Sequence, residues 1–179
     1  MAYWVYGGTT MGVVLLLLGP LFLRDLSLPA NLTFLCLPLY IFHQFEEHDD
    51  DRFRAFVNGV VAKGREGLSL ADVFWINVLA VWVLLPLTLW LVLRVDPGWS
   101  AIAASLLVIN AVAHIGQAIV LRRYNPGLWT GIVLLLPLGL ALLIYGQANA
   151  AQFLLSLLLA VAVHACIVAR LRFNLARPS

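Results

Sequence analysis

Charge is scarce in this chain. Only 11% of its 179 residues are charged, against 63% hydrophobic, where soluble domains carry about a quarter charged. A soluble fold of this size could not hide that much apolar surface, so lipid must be the solvent for much of it. Cysteine is nearly absent: Cys36 and Cys166 both sit inside apolar runs, which excludes a disulfide framework and leaves them as small packing residues. No basic stripe accompanies the net charge of +2, so no nucleic-acid partner is expected. Internal repeats and low-complexity tracts are lacking too, and residues 1–179 read as a single transmembrane helical domain. The first apolar run has no basic leader and no Ala-x-Ala cleavage site, so it reads as a retained helix rather than a signal peptide.

What is present is a series of apolar runs. A spanning helix needs about 20 mostly apolar residues, and six segments qualify: Tyr3–Phe22, Leu28–His48, Leu70–Leu93, Trp99–Leu121, Leu128–Tyr145 and Ala151–Leu171. The expected fold is therefore all-α, a polytopic membrane bundle of six transmembrane helices. Gly8 and Gly12 in the first run have the spacing that lets helices approach closely.

The basic residues orient the bundle. With six spans, Arg52, Arg54, Lys63, Arg65, Arg122, Arg123, Arg170, Arg172 and Arg177 share one side, and only Arg24 and Arg94 fall on the other. The positive-inside rule then puts both termini in the cytoplasm. The membrane expected is a cytoplasmic (inner) one, with lipids as the surrounding partners.

Polar residues inside the spans are concentrated. An ionisable group within a membrane is expensive and marks function by default. The second span ends His43-Gln44-Phe45-Glu46-Glu47-His48; the third holds Asp72 and Asn77; the fourth holds Asn110, His114 and Gln117; the sixth holds His164. At 1.5 Å per residue, His43, Asn77, His114 and His164 all lie roughly 8–12 Å inside the cytoplasmic boundary. His43, Glu46 and Glu47 share one helix face by i, i+3, i+4 spacing, as do Asn110, His114 and Gln117. His48 is rotated away from His43 and reads as a residue near the surface, at the head of the solvated run Asp49–Asp51. Asp72 reads as a helix N-terminal charge. Glu46 and Glu47 stand where the negative end of their own helix disfavours carboxylates. Continuation of that helix toward Asn58, counter-ions from Arg52 and Arg54, or a bound cation would each relieve this.

At these residues the sequence resembles the bacterial HXXEE family, named for a His-x-x-Glu-Glu motif that His43, Glu46 and Glu47 match. The family is also described by a further histidine and a Tyr-x-Pro-Gly motif. Tyr124-Asn125-Pro126-Gly127 fits the latter; His114, ten residues earlier, or His164 fits the former. The resemblance implies an integral membrane protein with these residues in one site, and names no reaction.

Imidazole and carboxylate together suit zinc or iron. The candidate ligands are His43, Glu46, Glu47, His114 and His164. Glu46, Glu47 and Asn110 are the candidate catalytic groups, one glutamate acting as general base. This reads as a metal-dependent enzyme hydrolysing or oxidising a lipid or amphiphile. The spacing is neither the zincin His-Glu-x-x-His nor the Glu-x-x-His of di-iron bundles. Three other readings stand beside it. Adjacent carboxylates sharing a proton would serve metal-free isomerisation or cyclisation of an isoprenoid-like substrate. A buried His/Glu chain would serve a proton-coupled transporter. A fully paired cluster would merely lock a structural or accessory subunit.

Overall fold

The computed structural model describes residues 3–177, and every regular element in them is helical. The long helices are α1 (Trp4–Phe22) and α2 (Leu28–His48); a short α3 (Arg52–Phe56) runs on through a wide turn at Val57–Val61. They are followed by α4 (Leu70–Arg94), α5 (Pro97–Leu121), α6 (Leu128–Tyr145) and α7 (Ala150–Ala176). By length and composition, α1, α4, α5, α6 and α7 are each able to cross a membrane. Helix α2 has the length, but its last turns carry His43, Gln44, Glu46, Glu47 and His48 and dilute its hydropathy. The six long helices coincide with the six apolar runs.

Helices α2 and α5 form the centre. The first half of α5 is closed on all sides, with Ala101 through Leu107 buried, and α2 buries residues along its whole length, from Pro29 to His48. Leu85 of α4 and Leu135 and Leu142 of α6 complete the apolar core around Cys36 and Tyr40. Outward faces such as Leu17, Leu79, Val120 and Leu158 stay exposed, as lipid-facing positions should. Helix α1 lies close against the bundle because a Cβ on Gly8 would stand 2.8 Å from the Trp82 ring.

Two helices widen where proline follows. The turns Val78–Val83 in α4 and Gly131–Leu135 in α6 have i→i+5 geometry. Pro86 and Pro137 come next, and a proline ring excludes the carbonyl four residues earlier, here Trp82 and Val133, from the regular ladder. Both widened turns begin immediately after a residue of the polar cluster, Asn77 and Thr130.

Side-chain ties define the two ends. At one end Asp96 accepts from Gln152 at 2.8 Å and Ser100 donates to the Gly146 carbonyl. At the other, Arg170 donates to Asp72 at 2.7 Å, Asn174 to the Gly67 carbonyl at 2.9 Å, and Tyr124 to Glu46 at 2.8 Å. Asp72 also closes a reciprocal cap with Ser69 at the start of α4. The end beyond α2 is built differently from the expected continuation toward Asn58. Asp50 and Asp51 adopt left-handed backbone, φ 54° and 58°, which aspartate tolerates better than most residues, and the chain turns sharply. Arg52 pairs with Asp49 and Arg54 with Asp51, so these arginines neutralise the aspartates and leave Glu46 and Glu47 to other partners.

Candidate metal centre

The site is assembled by α2 and α5 and closed by the loop between α5 and α6. His43 and Glu47 lie one helical turn apart on α2, and His114 faces them from α5. Their donor atoms lie within 4.8 Å of one another, and the residues are 0%, 5% and 6% exposed. Glu47 is the hub. Its Oε2 is 3.5 Å from His43 Nε2, and its Oε1 is 3.1 Å from His114 Nε2. The two imidazoles stand edge to face, centroids 5.1 Å apart.

The far nitrogens fix the tautomers. Thr130 donates its hydroxyl proton to Glu46 Oε2, so its remaining lone pair accepts from His43 Nδ1 at 2.8 Å. His43 therefore carries its proton on Nδ1, and its Nε2 is bare. Asn125 donates its amide to the His114 carbonyl at 2.9 Å, which points Oδ1 at His114 Nδ1, 2.6 Å away. A neutral His114 likewise keeps its proton on Nδ1 and presents Nε2 to Glu47. Two imidazole lone pairs and a carboxylate thus converge, and His43 Nε2 is buried without a hydrogen-bond partner. Such a group is costly unless something electropositive meets it.

Glu46 plays a different part from Glu47. One residue earlier is a 100° rotation around α2, and its carboxylate reaches the start of α6 instead. It accepts from the backbone N–H of Thr130 at 2.7 Å and of Trp129 at 3.2 Å, from the Thr130 hydroxyl, and from Tyr124. It caps α6 in trans, satisfying orphan donors at that helix's positive end. The electrostatic problem of a carboxylate at the end of α2 is solved by the N-terminus of α6. Helix α6 needs this outside cap because its own cap residue is Gly127. With φ +98°, Gly127 lies over the cluster, and a Cβ there would stand 2.6 Å from His114 Cε1 and 2.9 Å from both Glu47 Cγ and His43 Cε1.

A second hydrogen-bond chain braces the other flank. Trp82 Nε1 can only donate, and does so to Gln44 Oε1 at 2.9 Å. Gln44 then donates to Asn77 Oδ1 at 2.8 Å, and Asn77 donates to the Val73 carbonyl at 2.9 Å and to His48 Nε2 at 3.2 Å. His48 is therefore an acceptor at Nε2, 3.5 Å from Glu47 Oε2. Its expected place near the surface is corrected: His48 is 5% exposed, because Trp4, tilted, and Phe53, edge-on, pack against its ring, at 5.1 and 5.6 Å between centroids.

Beside the cluster lies a cavity of about 540 Å³ between α3, α4, α5 and α7, with Glu47, His48 and His114 on one wall. Its remaining polar lining includes Asn77, Asn110, Gln117 and His164. His164 donates Nδ1 to the Ala160 carbonyl at 2.9 Å and stands on the α7 wall rather than among the converging donors. Asn110 also lines the cavity, and its buried Oδ1 has no partner. Of the five candidate ligands, His43, Glu47 and His114 converge; Glu46 and His164 do not.

Thr130 and Asn125 carry no signal of their own in the sequence. Asn125 is the variable position of Tyr-x-Pro-Gly, and Thr130 lies three residues beyond Gly127. Only the motif's closeness to a histidine-bearing helix marked the region.

The family described as "Protein of unknown function with HXXEE motif" matches residues 34–142, a stretch that holds His43, Glu46, Glu47, His114 and the Tyr124–Gly127 turn. No curated protein and no solved structure matches the chain.

Proposed function

The chain belongs to the HXXEE family of proteins of unknown function, and from that premise we propose that it is a membrane enzyme using one divalent metal ion, zinc or iron, to act on an amphiphile. One observation carries the reading: two imidazoles whose far-side hydrogen bonds hold the neutral ring's one proton on Nδ1 turn their Nε2 atoms toward one carboxylate in a buried place. Glu47 turns one oxygen toward each imidazole, Oε2 at 3.5 Å from His43 Nε2 and Oε1 at 3.1 Å from His114 Nε2, so either oxygen could join the two nitrogens around one small ion. Thr130 and Asn125 supply the outer hydrogen bonds that metal-binding histidines regularly have.

A metal held by His43, Glu47 and His114 would supply Lewis acidity and an acidic water. The protein does the rest. Gly127 and the 124–127 turn close one side. Glu47 and His114 also border the apolar cavity, so a substrate chain lying there reaches the site. Glu46 positions Thr130 and α6; with every oxygen engaged, it holds the site rather than acting as base. Orientation by the positive-inside rule puts this end of the bundle at the cytoplasmic face of a bacterial inner membrane, with both termini inside.

A second reading rests on the 3.1 Å approach of His114 Nε2 to Glu47 Oε1, within hydrogen-bonding reach. One added proton there makes an acid–base pair with no metal. Elemental analysis separates the two. Protein purified without chelators and reconstituted with Zn²⁺ or Fe²⁺ is expected to hold close to one metal per chain. The Glu47→Gln and His114→Ala variants should hold none while remaining folded. Wild-type protein that stays metal-free after reconstitution contradicts the leading reading and leaves the acid–base pair.

A further inference from the structure

The cavity beside the site has a direction, and its two ends differ. At its inner end Tyr40, Val81 and Leu106 are buried and apolar. Along α7 its wall runs from Val163 to Leu175, a rise of about 18 Å of helix. At its outer end Leu171 packs with Leu68 and Val73, and Val73 lies one turn outward of Asn77, the partner of His48. Arg172 lines this outer end.

Arg172 differs from the paired arginines around it and, of the basic residues, is the one that lines the cavity among the described residues. Arg170 is paired with Asp72, Arg52 with Asp49, and Arg54 with Asp51, and Arg65 donates to the Leu175 carbonyl. Among the described residues, Arg172 has no ion pair and no side-chain hydrogen bond. Among the described residues, Glu47 is the only acidic side chain lining the cavity. The outer end thus offers one guanidinium with free donors above an elongated apolar channel, and a guanidinium matches carboxylate or phosphate oxygens in bidentate fashion.

We propose that the cavity binds a single-chain amphiphile with an anionic headgroup, its head on Arg172 and its chain running inward past Glu47 and His114 toward Leu106. This rests on the reading of Glu47 and His114 as the reacting site, and it names the substrate class. The head sits outward of the Glu47 level, so the chain next to the headgroup is what passes the metal ligands. An uncharged amphiphile of equal length gains the same apolar contacts and leaves Arg172 unpartnered.

The test is native mass spectrometry of the protein in a nonionic detergent, titrated separately with hexadecanoate, hexadecyl phosphate and hexadecanol. The expected result is one molecule bound per chain, with at least one anion held about tenfold or more tighter than the alcohol. The tighter of the two anions identifies the headgroup. Arg172→Gln is expected to bring the anions down to the alcohol's affinity. Ala113→Phe, which puts a ring into the channel from α5, is expected to weaken all three. Equal affinity for anion and alcohol, or an anion preference that survives Arg172→Gln, overturns the proposal, as does binding indifferent to Ala113→Phe in protein of wild-type helicity. Metal content measured on the same samples keeps the two claims apart. A chain without metal that still prefers anions through Arg172 sinks the metalloenzyme reading alone. A metal-loaded chain without the preference sinks this proposal alone.

Discussion

Thr130 joins Glu46 to His43. Its hydroxyl donates to Glu46 Oε2 and its lone pair accepts from His43 Nδ1–H at 2.8 Å. The His-x-x-Glu-Glu motif is thereby divided: its second glutamate touches the imidazoles directly, and its first reaches His43 only through a residue of another helix.

This division predicts how Thr130 variants behave. Thr130→Val keeps the shape but removes the acceptor for His43, so the ring loses its preference for a bare Nε2. Metal affinity should fall by about 10–100-fold, the usual effect of losing an outer partner, while Thr130→Ser keeps it. Competitive chelator titration reads both; equal affinity in Val and Ser variants would show that the hydroxyl does not set the tautomer.

Glu46→Gln should weaken the site without abolishing it. The amide keeps one acceptor for the α6 N–H groups but loses the charge that complements the helix terminus, an interaction worth about 0.3–2 kcal/mol. Thermal unfolding is expected to show a modest loss, and metal binding a partial one. Glu47→Gln should do the reverse, with metal binding gone and stability little changed or improved. If the two variants were indistinguishable in both assays, the separate roles would be wrong.

Gly127→Ala tests the closed side of the site. The new Cβ would press on His114, Glu47 and His43 at once, and its backbone φ of +98° is unfavourable for alanine. Displacing three ligands together should remove metal binding while circular dichroism still reports an intact helical bundle. Retained binding at wild-type affinity would mean that the turn does not pack on the cluster.

Tyr124 gives a pH signature. It lies between α5 and α6, and burial together with its hydrogen bond to Glu46 pushes its phenol up to about 12, from an ordinary value near 10. The folded state holds this proton more tightly than the unfolded chain. The stabilisation is therefore complete below about pH 10 and is lost as pH rises from about 10 to 12. Thermal unfolding of wild type should decline across that window more steeply than that of Tyr124→Phe; parallel declines would contradict the assignment.

The helices were legible from hydropathy alone, because lipid demands long apolar runs and nothing else in the chain resembles one. The convergence of His43 and His114 was legible too, since helix rise puts them at one depth. Other features depend on which way a side chain turns. Glu46 and Glu47 differ by a single residue, and i+3 and i+4 both count as the same face as His43, yet one meets α6 and the other α5. His48 looked solvent-facing because the sequence could not show Trp4 and Phe53 folding over it. Thr130 and Asn125 became visible only through their hydrogen bonds, as polar residues near a turn carry no signature of their partners.

The ligands around a bound metal distinguish a His43–Glu47–His114 centre from adventitious binding. X-ray absorption spectroscopy at the zinc or iron edge of the reconstituted wild-type protein measures them directly. Two imidazole nitrogens and one carboxylate group are expected at about 2.0–2.2 Å, a coordination lost in His43→Ala as in His114→Ala. A spectrum showing oxygen neighbours alone, or one unchanged by His43→Ala, would contradict that centre.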